Sequence, residues 1–185
     1  MNGYQRERVA RLHPDGSVDL AFNAGLGLPG IQSVLTVLPA AGGKLYLGGI
    51  FDGWGGHPTV SLVRLNGDGT VDTAITLNNQ PNVGGPFRVA ALAYYPSEAD
   101  PQWLIVGGGT YYVEAGNGFT NQRRHLARLD ATTGAWDPTF NLAPIPTPPT
   151  SVDGSVSRIA VLPDGKLLVG GIQGGGLPRS MACCA

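Results

Sequence analysis

The chain has 185 residues with twelve basic and thirteen acidic side chains, a formal net charge of −1. It therefore carries no basic field to attract nucleic acid or an anionic membrane. Glycine (29) and proline (15) approach a quarter of the residues, about twice the ordinary share. Lysine occurs at Lys44 and Lys166 alone and glutamate at Glu7, Glu98 and Glu114, which excludes helical bundles and coiled coils, while a 42% hydrophobic share excludes a disordered chain.

An all-β protein with many tight turns remains. Residues Met1 to Glu7 have no apolar core and do not read as a signal peptide, and the apolar stretches are too short for a transmembrane helix. Arg8-Val9-Ala10-Arg11-Leu12 alternates and predicts an outer strand with one wet face. The turn His13-Pro14-Asp15-Gly16 and a short strand ending Phe22-Asn23 follow. In that turn proline presets φ, aspartate caps the backbone and glycine accepts a positive φ.

From Ile31 to Ile50 the pattern changes to an apolar strand, a turn, and a second strand ending in Gly48-Gly49. Both patterns then recur. Ser61 to Thr76 repeats the Arg-Leu strand and its turn, and Phe87 to Gly109 repeats the apolar pair with Gly107-Gly108. His125 to Asn141 and Val156 to Ile172, with Gly170-Gly171, repeat them again. Leu45-Tyr46-Leu47, Trp103-Leu104-Ile105-Val106 and Leu167-Leu168-Val169 read as inner strands buried on both faces, and the glycine pairs suit bulges or close backbone approach. The glycine pairs lie 59 and 63 residues apart and the Arg-Leu marks 53 and 64. A period near 60 residues carrying four short strands predicts a propeller blade.

The pattern Ala-Arg-Leu-x-Pro-Asp-Gly-Ser-Val-Asp-x-x-Phe-Asn at residues 10–23, with Leu-Pro-Asp-Gly-Lys-Leu-Leu-Val-Gly-Gly at 162–171, resembles the delta-60 repeat. That family is a bacterial β-propeller repeat of large surface-exposed or secreted proteins. The second copy departs from it at Ile75-Thr76, and the third replaces Pro-Asp-Gly with Asp130-Ala131-Thr132-Thr133-Gly134. The resemblance implies a fold and an extracellular or cell-surface setting, and no catalytic residues. The expected architecture is a β-propeller-like array of four-stranded blades over residues 1–176. It divides into an outer half-blade (1–24), two blades (31–78 and 86–141) and an inner half-blade (155–173), followed by a tail (177–185). About three blade equivalents is too few for a closed ring, so a partial propeller or open arc is expected, completed by further blades of the same protein or by a second copy.

Candidate sites are sparse. Asn66-Gly67-Asp68-Gly69-Thr70-Val71-Asp72 has the look of a calcium loop, but Arg64 and Ile75 occupy ligand positions, so it reads as a turn and no metal is expected. Leu129 to Gly134 has the look of a quinoprotein turn and reads likewise as a turn. His13, His57 and His125 share no spacing, no Gly-x-Ser-x-Gly elbow occurs, and the Gly174-Gly175-Gly176 run precedes no phosphate-binding lysine. Adjacent Cys183 and Cys184 read as an incidental tail. No cofactor is expected. The candidate ligand residues are Tyr111, Tyr112, Arg123 and Arg124, in an insertion longer than its counterpart around Trp54, and Trp54 itself. Aromatics beside arginine suit a carbohydrate or protein partner. The proline-rich 143–150 loop reads as a stiff spacer. The function expected is a non-catalytic scaffold or binding platform. The alternatives are a piece of a propeller hydrolase or lyase, or a calcium-stabilised adhesion module.

Overall fold

A computed structural model describes residues 8–25, 33–75, 88–114, 119–135, 137, 139–140 and 155–172, without the side chains of 110–114, 119–125 and 172. Cys183, Cys184, the 143–150 loop and Gly174 to Gly176 lie outside the described residues. The chain forms β1 (Ser33–Pro39), a single 3-10 turn at Ala41–Gly43, β2 (Leu45–Ile50), β3 (Gly53–Trp54), β4 (His57–Pro58) and β5 (Leu62–Leu65). It continues with β6 (Val89–Pro96), β7 (Pro101–Glu114), β8 (Phe119–Asp130), β9 (Ser155–Val161) and β10 (Leu167–Ile172). Two antiparallel sheets, β1-β2-β5 and β6-β7-β8, are followed by the hairpin β9-β10. Short outer strands complete the pattern as bridges, Leu65 to Val71 in the first sheet and Leu12 to Val18 in the N-terminal arm. Among the described residues the order is an N-terminal arm, two three-stranded sheets and a two-stranded hairpin. No helix among the described residues is long and apolar enough to cross a membrane.

Apolar faces stack these units in chain order. Phe22 and Ala24 of the arm pack on Leu47, Trp54, Val63 and Leu65 of the first sheet. Tyr46 and Leu62, on the other face of that sheet, pack on Val89, Leu104, Val106 and Leu129 of the second. Ala91, Ile105 and Leu126 then pack on Val156, with Ile159 and Leu167 alongside. Each central strand is covered on both faces, which is why its sequence runs apolar without alternation.

The glycine pairs are explained by two different contacts. The second glycine of each pair lies at a bulge, where a Cβ would sit 1.9 Å from the Ser33 carbonyl oxygen at Gly49, 1.6 Å from Arg88 O at Gly108 and 2.1 Å from Ser155 O at Gly171. The first glycine faces the next unit: a Cβ on Gly48 would lie 2.4 Å from Val89 Cγ1, and one on Gly107 would lie 2.6 Å from Val156 Cγ1. The expectation that Leu167-Leu168-Val169 is buried on both faces is corrected. Leu168 is 58% exposed, because no described unit stacks beyond β10.

Candidate functional site

The residues that recur from unit to unit serve structure. Arg11, Arg64 and Arg128 each donate Nε–H to Oδ2 of an aspartate eight or nine residues on, Asp19, Asp72 and Asp137, at 2.7 Å in all three. The other carboxylate oxygen accepts the amide two residues further, from Ala21, Ala74 or Thr139. Each aspartate amide donates back to its arginine's carbonyl at 2.9, 2.9 and 3.0 Å. The guanidinium stacks on an aromatic ring: Arg11 on Phe22 at 5.0 Å, Arg64 on Tyr46 at 5.8 Å, Arg128 on Trp103 at 4.6 Å. We call this unit the clasp. It fastens the outer strand to the turn after it with charge-assisted bonds.

Electrostatics follow from that geometry. At Asp19 the Arg11 hydrogen bond holds the carboxyl below the usual range. At Asp137 the Thr139 hydroxyl leads, and Arg128 adds to it. At Asp72 burial opposes ionisation, but bonds from Lys44, the Ala74 amide and Arg64 outweigh it and lower the pKa.

A second recurring set caps the turns. Asp68 Oδ1 accepts from the Thr70 amide at 2.9 Å and its hydroxyl at 2.7 Å, with Gly69 at φ 95°. Asp15 does the same with Ser17, and Asp130 with Thr133. The Asn66 to Asp72 segment is thus built as a turn, its Asp68 carboxylate committed to Thr70 and its Asp72 carboxylate to the clasp. Among the described residues no three His, Cys, Asp or Glu side chains gather as a metal site.

An open groove of about 640 Å3 runs where the first strands β1, β6 and β9 end, lined among others by Leu38, Leu92, Tyr94, Pro96, Glu98 and Leu162. Its lining mixes apolar side chains with Ser97 and Glu98. The Tyr94 hydroxyl donates to the Pro39 carbonyl at 2.9 Å, and burial, then the neighbouring Tyr46, pushes its pKa up to about 12. A phenol so held stays neutral and donates a hydrogen bond. The groove can hold an apolar or aromatic group beside the Glu98 carboxylate. Sequence reasoning did not select these residues. The signal was present as a proline at or just past the end of the first strand in each unit, Leu38-Pro39, Tyr95-Pro96 and Leu162-Pro163.

Of the candidate ligand residues, Trp54 is buried. Its indole N–H donates to Ala24 O at 2.9 Å and its ring meets Phe51 edge-on at 5.3 Å. It therefore anchors the arm to the first sheet and presents no face for a ligand. Tyr111 and Tyr112 lie in β7, and Arg123 and Arg124 in β8. The register sets Tyr111 directly opposite Arg124, and the four side chains lie outside the described residues. β7 has 14 residues against 6 in β2, and β8 has 12 against 4 in β5, so these four positions sit on an arm extending past the blade. His13 and His57 are exposed.

Comparison with known proteins gives one family. A model described as a β-propeller domain of unknown function (DUF5122) matches residues 1–22 and 43–74. No curated protein and no solved structure gives a significant match to the chain. The two matched stretches contain the clasps of Arg11 and Arg64, one in the outer half-blade and one in the first blade. Taken with the stacked sheets and the recurring bulges, they make the chain a β-propeller module of about three blade equivalents, open rather than closed.

Proposed function

We propose that this module is a non-catalytic scaffold or binding platform of the delta-60 type, working within a bacterial surface or secreted protein, and that the β7-β8 arm is where it meets its ligand. The observation that carries this reading is the use made of the repeated polar residues. The three arginines, their aspartates and the turn aspartates are committed to clasps and caps, so what repeats maintains a frame. Among the described residues the long β7-β8 arm departs from the repeat, and loops or arms on a rigid frame are where such folds place recognition. Tyrosine opposite arginine there suits stacking on a sugar ring or a peptide, by aromatic and cation-π contact.

The test is binding of the labelled chain to arrays of bacterial glycans and peptides, repeated with the Tyr111→Ala/Arg124→Ala variant. A ligand class retained by the chain and lost by the variant, with an unchanged melting curve, supports the reading. Binding that survives the double change removes the arm from it. Turnover of an arrayed ester, glycoside or peptide would overturn the non-catalytic assignment.

A further inference from the structure

The two ends of the array expose the two halves of one interface. Aligning the units on their glycine pairs makes Leu168 the counterpart of Tyr46 and Ile105. Those two are 1% and 0% exposed because the next sheet covers them, whereas Leu168 is 58% exposed. At the other end, Val37 is the counterpart of Leu92 and Ile159, each opposite the residue just before its glycine pair. Leu92 and Ile159 pack against the preceding sheet, while Val37 is 53% exposed. The outer strands agree: Leu12 is 46% exposed, and its counterparts Leu65 and Leu129 are 0% and 1%. The β9-β10 hairpin thus presents the leading face of an inner half-blade. The arm and β1 present the seat in which such a half-blade would lie.

We propose that the occupant of each end is the other end of a second copy, so that two chains stack head to tail and close a ring of about six blade equivalents, within the ~4–8 of known propellers. The established stacking inside the chain supplies the geometry. Gly48 faces Val89 and Gly107 faces Val156, so Gly170 faces Val34 of the second copy, the residue opposite Gly49. A Cβ on Gly170 meets nothing nearer than 3.9 Å in one chain, which is the space that contact needs. Leu168 then covers Val37. Pairing also follows the internal rule. Leu45 lies opposite Leu65 and Leu104 opposite Leu129, so Leu167 lies opposite Leu12 of the second copy and a composite blade forms from two chains. This assembly does not depend on what the β7-β8 arm binds.

Light scattering on a sizing column checks it. At tens of micromolar the chain should run at about twice its 19.2 kDa mass. Leu168→Glu and Gly170→Val should run at one chain mass with the far-UV spectrum retained, since neither residue is covered within one chain. Register is checked with Leu12→Cys/Leu167→Cys in a Cys183→Ser/Cys184→Ser background. Oxidation should give a covalent two-chain species, and neither single cysteine should. A wild-type chain that stays at one mass, a Leu168→Glu variant that still dimerises, or a disulfide closed within one chain would each overturn the proposal. A ladder of larger species would refute closure at two.

Discussion

At the scale of single residues, the clasp decides how the outer rim responds to acid. Asp72 and Asp137 have depressed pKa values in the folded chain. A carboxyl of this kind contributes stability that is complete above its unfolded pKa, near 3.9, and is lost as pH falls through its folded value. Melting temperature should therefore hold from neutrality to about pH 5 and fall steadily below about pH 4. Asp72→Asn should lower neutral stability by about 2 kcal/mol, because it removes the carboxylate charge that Arg64 and Lys44 share and one of the two acceptor oxygens, and should flatten the acid limb. Denaturant melts at pH 7 and pH 3.5 test both. Tyr94 has the opposite sign: its folded pKa lies at about 12 against 10.0, so stability should fall as pH rises between those values. Tyr94→Phe should reduce that alkaline loss, read from melts near pH 11, and leave the part due to Tyr46, whose pKa burial also raises. At Asp68 the expectation is specific to the turn. Asp68→Ala should lower the melting temperature by the same amount with and without millimolar calcium, and a calcium-dependent difference would restore a metal reading.

At the scale of elements, the glycine pairs separate two roles that one sequence motif conceals. Gly108→Ala would press a methyl group into the Arg88 carbonyl, a backbone atom that cannot swing aside, and should cost about 3–5 kcal/mol. Gly109, just outside that pair, has room for a methyl group, with Arg88 Cβ at 3.6 Å and Arg88 N at 4.0 Å, and Gly109→Ala should stay within about 0.5 kcal/mol. Urea melts of the two variants side by side are decisive. Most of the strand arrangement was legible here, since the apolar runs, the Arg-Leu marks and the Pro-Asp-Gly turns each carry a period or a conformational demand of their own. The candidate site was less legible. Trp54 read as a candidate ligand residue, and nothing in Asp52-Gly53-Trp54-Gly55 announces that the indole is buried with its N–H on Ala24 O. The groove at Leu38, Leu92 and Leu162 escaped notice because it is made from three segments more than fifty residues apart. Local composition does not report such convergence.

For the whole molecule, one feature of the clasp reaches beyond static structure. Its arginine and aspartate are separated by eight or nine residues, whereas the inner faces join residues from different units, such as Tyr46 and Ala131 at a separation of 85. Closing a loop of about ten residues takes about 10–100 ns and costs little entropy. Long-range stacking must wait for larger closures and sets the slow rate of β-rich chains. The outer ribbons are thus expected to form early and the inner faces, which need residues from different units, to settle later. Chevron analysis gives the measurable form. Asp72→Asn should slow folding and leave unfolding almost unchanged, while Ile105→Val should chiefly accelerate unfolding. A chain synthesised from its N-terminus would in this way present the ribbon at Arg11 and Asp19 before β1, β2 and β5, the sheet on which Phe22 packs, have been made.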